Sequence, residues 1–165
     1  MKRILACFLL AASSMLLAVV NGQTFEGSLP GPGIVLNINA DQDVTITGAT
    51  TTTGTIRHGA ILNGTTADVF TSIPVAIGVT STLALTDTLT ITADHGTLNC
   101  RDVTLFNPTQ RVFTTISTIS SGTGIFKGAN GTLFISGTST DGVHYEDKIT
   151  GQITIFPVAF GSDCG

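Results

Sequence analysis

The chain has 165 residues, a formal net charge of −4 at pH 7, 19 glycines, one tyrosine and no tryptophan. An acidic chain with so few aromatics lacks the basic surface and stacking side chains that hold nucleic acid, so no nucleic-acid partner is expected. The length suits one domain with room for a real core.

The N-terminus carries targeting information. Lys2 and Arg3 precede an apolar run from Ile4 to Val20, and Asn21-Gly22-Gln23 follow. Val20 and Gly22 supply the small residues signal peptidase tolerates at −3 and −1. The run falls short of the roughly 20 residues a spanning helix needs, and Ser13-Ser14 interrupt it. Residues 1–22 are therefore expected to be a signal peptide, and residues 23–165 one secreted domain, extracellular or periplasmic. No stable membrane insertion is expected after cleavage. Ile4-Leu5-Ala6-Cys7 has the letters of a lipoprotein box, but it precedes most of the apolar run instead of following it.

Cleavage at Gln23 would leave two cysteines, Cys100 and Cys164. A secreted chain with two cysteines usually pairs them, so a Cys100–Cys164 disulfide is expected, with two free thiols as the alternative. Such a loop would contribute about 4 kcal/mol on the chain-entropy model. Neither cysteine has the close Cys or His neighbour of a metal site.

Thr, Gly, Ile and Val dominate the rest, and the apolar period is two, not 3.6. In chain order, Thr24 to Leu29 reads as a short strand and Leu29-Pro30-Gly31-Pro32-Gly33 as a loop. Asp43 to Thr47 is a short strand. Asn63-Gly64 reads as a hairpin joining Thr55–Leu62 to Thr65–Phe70. Leu83 to Ala93 alternates, with Leu85, Leu89 and Ile91 on one face and Thr86, Thr88, Thr90 and Thr92 on the other. Asp94-His95-Gly96 turns the chain into Thr97–Phe106, which Asn107-Pro108 ends. Arg111 to Ser120 follows. Thr132–Thr138, the Asp141-Gly142 turn and Val143–Phe156 form a further hairpin. Its second strand has Val143, Tyr145, Ile149, Ile153 and Ile155 on one parity. Eight or nine short strands with tight turns make an all-β sandwich or closed barrel, which pattern alone does not separate.

Two acids stand on the apolar parity of their strands: Asp87 between Leu85 and Leu89, and Asp147 between Tyr145 and Ile149. If those faces line an interior, Asp87, Tyr145 and Asp147 form a candidate ligand-binding set, because buried carboxylates are costly and often functional. Otherwise both acids sit near a rim, solvated or paired with Arg57 or Arg101. His58, His95 and His144 lack ligand spacing, so no metal is expected. No nucleophile elbow or Ser-His-Asp pattern is present, and no catalytic residue is assigned. Asn63-Gly64-Thr65 and Asn130-Gly131-Thr132 are glycosylation acceptors in a eukaryotic host and simple turns elsewhere.

The segment Gly122-Thr123-Gly124-Ile125-Phe126-Lys127-Gly128-Ala129-Asn130-Gly131 does not have the dinucleotide-loop spacing, and no helix follows it, so no phosphate cofactor is expected. It resembles the Gly-rich segment of the allene oxide cyclase-like barrels, which include the dirigent proteins. The resemblance covers about Thr114 to Ile153. It implies an antiparallel eight-stranded barrel with an apolar cavity, often oligomeric, in which Ile125 and Phe126 plug one end. The polar residues the cyclases use have no match in the early strands, where Glu26 stands in different company. The leading expectation is a non-catalytic protein that binds a small apolar molecule or serves a structural extracellular role. The alternatives are an isomerase or cyclase acting on a hydrophobic substrate in the barrel, and an adhesion module using the Thr-rich face.

Overall fold

The computed structural model describes residues 32–78 and 81–156. The expected signal peptide, the Thr24–Leu29 strand, Glu26 and Cys164 lie outside the described residues.

Among the described residues nine strands follow one another: β1 (Ile34–Ile46), β2 (Thr51–Arg57), β3 (Gly64–Phe70), the short β4 (Val75–Ala76), β5 (Leu83–Ala93), β6 (Gly96–Asn107), β7 (Val112–Gly122), β8 (Asn130–Thr138) and β9 (His144–Ile155). All pairings are antiparallel, and eight of the strands close into a ring. β3 pairs with β5 from Gly64↔Ala93 to Phe70↔Asp87. β1 pairs with β9 from Ile34↔Ile155 to Thr45↔His144. The short β4 extends the β5 ladder beyond the end of β3, through Val75↔Ala84 and Ala76↔Leu83. The protein is thus an all-β, antiparallel, eight-stranded up-and-down barrel, which resolves the sandwich-or-barrel alternative. Closure leaves no full-length strand edge open to pairing.

The period-two pattern decides which side chains point inward. Leu85, Leu89 and Ile91 of β5, Leu133 and Ile135 of β8, and Tyr145, Ile149 and Ile153 of β9 are all buried, as their parity requires. β5 has the bounds its alternation predicts. β1 is much longer than the expected Asp43–Thr47. Its inward residues, Leu36, Ile38 and Ala40, are apolar, but Asn37, Asn39 and Asp41 between them favour turns and mask the strand.

Two turns differ from expectation. Asn63-Gly64 is not a two-residue hairpin. β2 ends at Arg57, a 3-10 turn spans Ala60–Leu62, and Asn63 Oδ1 accepts the Gly59 N–H at 2.7 Å. That hydrogen bond holds a wider loop and lets Leu62 point into the core, where it is fully buried. Asp141-Gly142 belongs to a five-residue connection between Thr138 and His144. There Asp141 Oδ1 accepts the backbone N–H groups of Val143 and His144, each at 2.8 Å. These bonds, with the His144 ring, hold the Asp141 carboxyl below the usual carboxylate range.

The Gly-rich segment joins β7 to β8 across one barrel end. A 3-10 turn, Gly124–Phe126, drops Phe126 into the core, fully buried, with Ile125 packed against it. The Phe126 N–H donates to Thr123 O, and the Ala129 N–H donates to Phe126 O, both at 3.0 Å. Gly124 has φ +58°, and a Cβ there would run into the His95 carbonyl oxygen of the β5–β6 turn. Glycine is needed for both reasons. Phe126 and Leu62 close this end over Ile38, Leu89, Ile91, Leu98, Leu133 and Ile153.

The outer face is polar and Thr-rich, with one apolar row. Val103 pairs with Ile116 and Ile116 with Phe134, and all three are about half exposed. Among the described residues no helix is long and apolar enough to cross a membrane.

Candidate functional site

Three layers follow one another along the barrel axis. Phe126 and its neighbours fill the plugged end. Above them lies a polar belt that draws on nearly every strand. At the other end, beneath the β1–β2 and β3–β4 connections, a cavity of about 510 Å³ is lined above the belt mainly by aliphatic and aromatic side chains.

The belt follows from strand register. Asp87 of β5 lies directly opposite Asp102 of β6, and Asp102 opposite Ser117 of β7. Thr52 of β2 lies opposite Asp68 of β3. Asp147 of β9 has Gln42 of β1 on one side and Gly137 of β8 on the other. Gly137 is the space Asp147 occupies, since a Cβ there would collide with the carboxylate. Asp68, Asp87, Asp102 and Asp147 all line the cavity, and no Lys, Arg or His does so among the described residues.

Neighbouring hydroxyls satisfy part of this belt. Ser117 Oγ donates to Asp102 Oδ1 at 2.6 Å, Thr52 Oγ1 to Asp68 Oδ2 at 3.2 Å, and Thr104 Oγ1 to Asp87 Oδ2 at 3.3 Å. Gln42 Nε2 donates to Thr66 Oγ1 at 2.8 Å. Other atoms have no hydrogen-bond partner: both carboxylate oxygens of Asp147, Oδ1 of Asp68 and of Asp87, the Tyr145 hydroxyl and Gln42 Oε1. Asp87, Tyr145 and Asp147 are only 7%, 5% and 6% exposed, so these groups are buried and aimed at the cavity.

Burial without countercharge raises the acids. Loss of hydration is the main cause in each case, pushing Asp68 up to about 7, Asp87 to about 6, Asp102 to about 8 and Asp147 to about 7. Mutual repulsion adds to this: Asp87 raises Asp68, Asp87 and Asp68 raise Asp102, and Asp68 and Asp43 raise Asp147. Desolvation also raises the Tyr145 hydroxyl.

Above the belt, Tyr145 packs edge-on against Phe113, with ring centroids 5.6 Å apart, and against Phe106 at 6.3 Å. Val44, Leu83 and Leu85 continue the apolar wall. The cavity therefore offers an apolar chamber with hydrogen-bonding and ionisable groups at its floor, the combination typical of small-molecule sites.

All three residues expected as a ligand-binding set, Asp87, Tyr145 and Asp147, line this one cavity. Neither acid is paired at a rim: Arg57 reaches Asp43 on the outside at 3.1 Å, and Arg101 is exposed. Sequence reasoning missed Asp68 and Asp102. Asp102 carried a readable signal, since it shares parity with Leu98 and Cys100. Asp68 carried only a weak one: Phe70 shares its inward parity, but Ala67 and Val69 face outward and Thr66 stands beside it on the inward side.

His58 and His144 lie on the surface beside Asp41 and Asp141, at 3.1 and 2.6 Å, away from the cavity. Among the described residues no group of three or more His, Cys, Asp and Glu has the geometry to hold a metal ion. Cys100 points into the dry core as a free, fully buried thiol, and burial pushes it up to about 12. A partner sulfur would have to reach the barrel interior to meet it. In comparisons with known proteins, no family model, curated protein or solved structure matches the chain.

Proposed function

We propose that the protein binds a small, mainly apolar molecule inside the barrel, with the ligand's polar end at the acid belt to which Asp87, Tyr145 and Asp147 belong. The observation that carries this reading is the cavity of about 510 Å³ beneath the β1–β2 and β3–β4 connections. Its volume falls in the range of drug-sized ligand sites, and its upper walls are aromatic and aliphatic. Burying such a ligand against those walls would contribute roughly 25 cal/mol per Å² of apolar surface removed from water.

The reading has a direct test. Leu85 points inward and lines the cavity. Leu85→Trp fills that space with little strain, because the ring occupies existing volume. Binding of the neutral fluorophore N-phenyl-1-naphthylamine is expected to weaken by at least about tenfold, with the thermal midpoint nearly unchanged. Unchanged dye affinity in the folded variant would place the binding elsewhere.

In this reading the chain is a barrel of the allene oxide cyclase-like kind. Support comes from the eight-stranded antiparallel closure and from the Gly-rich β7–β8 segment with Phe126 as its plug. A homo-oligomer of such barrels would use the outward row Val103, Ile116 and Phe134. A second reading, an isomerase or cyclase, is favoured by one observation. Asp87 and Asp147 share the cavity and are pushed to about 6 and about 7, where one carboxyl can donate a proton while another accepts. The two readings separate on whether the ligand leaves the cavity chemically changed.

A further inference from the structure

The cavity reading leaves the ligand's polar end unspecified, and the belt supplies the missing chemistry. Four carboxyls face one chamber from β3, β5, β6 and β9, and among the described residues no cationic side chain enters it. The Asp147 oxygens have no protein donor, although the residue is only 6% exposed. Asp87 Oδ1 and the Tyr145 hydroxyl are likewise unpartnered. Buried acceptors left unmade in this way cost of order 1–3 kcal/mol each, which a donor-rich ligand would recover. The layering fixes orientation: the aromatic wall of Phe106, Phe113 and Tyr145 lies above the belt, and the dry plug lies below it.

Resting on the binding reading above, we propose that the ligand class is an amphiphilic amine, with its ammonium group on the β9 side of the belt at Asp147 and the Tyr145 hydroxyl, its charge also felt by Asp68, Asp87 and Asp102 around the same chamber, and its apolar body against the Phe106–Phe113 wall.

An ammonium group fits where other polar ends do not. It carries three donors and no acceptor, matching a floor that presents unpartnered carboxylate oxygens. It also supplies the positive charge that the lining lacks. A carboxylate ligand would add a fifth acid to a cluster whose members already disfavour one another's ionisation. A neutral alcohol would bring no positive charge to favour the ionised forms.

Binding is coupled to protons. The groups facing the head group are Asp68 on β3, Asp87 on β5, Asp102 on β6, and Tyr145 and Asp147 on β9. The inward belt positions of β1, β2, β7 and β8 offer Gln42, Thr52, Thr115, Ser117 and Gly137, none of them charged. Asp43, Asp141 and Arg111 act on this cluster from outside it. In the empty cavity these acids retain protons well above the ordinary carboxylate range. A bound ammonium favours the ionised forms, so protons leave as the amine enters.

The test is calorimetric titration of the full chain with three probes of equal length: octylammonium, 1-octanol and octanoate. At pH 7.5 octylammonium is expected to bind about tenfold or more tighter than octanol, with no detectable octanoate binding. Repeating the amine titration in buffers of different ionisation heat is expected to show net proton release, which a merely structural role for the acids would not give. Asp147→Asn should weaken octylammonium about tenfold and octanol by less than about threefold. Octanol or octanoate binding as tightly as the amine would overturn the amine assignment and leave the binding reading standing. Failure of all three probes to bind would overturn both.

Discussion

Raising the pH from about 4 to about 8 is expected to destabilise the ligand-free protein, lowering its thermal midpoint by roughly 10 °C or more. The sign follows from the direction of the shifts. Asp68, Asp87, Asp102 and Asp147 are raised from 3.8 to between about 6 and about 8, so the folded state holds these protons more tightly than the unfolded chain does. Below pH 4 both states are protonated, and the stabilisation is fully present. As the pH climbs, the unfolded chain ionises first, and each step toward pH 8 favours unfolding. One such group costs up to about 1.4 kcal/mol per pH unit across its window. Paired surface carboxylates act in the opposite direction, but Asp41 and Asp141 are exposed and contribute little. Asp147→Asn should flatten the profile and stabilise the protein at pH 8, because neither Asp147 oxygen has a hydrogen bond to lose. Thermal melts by circular dichroism between pH 4 and pH 8 read both effects. A midpoint that rises with pH across this window would contradict the acid belt.

Removing the plug should cost as much. Phe126 is the largest fully buried side chain among the described residues, and it closes the barrel end opposite the cavity. Phe126→Ala is expected to destabilise by about 3–5 kcal/mol, through lost burial and the void left beneath the Gly124–Phe126 turn. For a domain of this size that corresponds to a loss of about 10–20 °C in midpoint. The cavity lies beyond the acid belt, so dye binding at low temperature should survive. A loss below about 1 kcal/mol would mean that the Gly-rich segment merely covers the end without plugging it.

Most of this architecture was legible because period-two alternation in Thr- and Ile-rich strands has one good structural solution. β5 and β9 show it most plainly: apolar residues on one parity mark the inside, and Asp87 and Asp147 sit on that parity. The Phe126 plug was expected through the resemblance of the Gly-rich segment to a known barrel family, not from periodicity. Other parts were hidden for physical reasons. Outward Asn and Asp residues masked β1. The Asn63-Gly64 pair carries a strong hairpin signature, but its Asn63 side chain binds the Gly59 N–H and widens the turn. Asp68 was hard to read because β3 turns its small apolar residues outward and its polar ones inward. Choosing between barrel and sandwich needs the β3–β5 and β1–β9 pairings, which are non-local and leave no mark on local sequence.

The central claim is that four aspartates share one buried cavity as the floor of a ligand site. Carbon-detected NMR titration of the aspartate side-chain carboxyls tests it most directly. The account predicts that Asp68, Asp87, Asp102 and Asp147 titrate between about 6 and about 8, while Asp41 and Asp141 titrate below the ordinary carboxylate range. Four titrations near the ordinary value of 3.8 would show that the carboxyls face bulk water, and would remove the acid-floored cavity on which the functional reading rests.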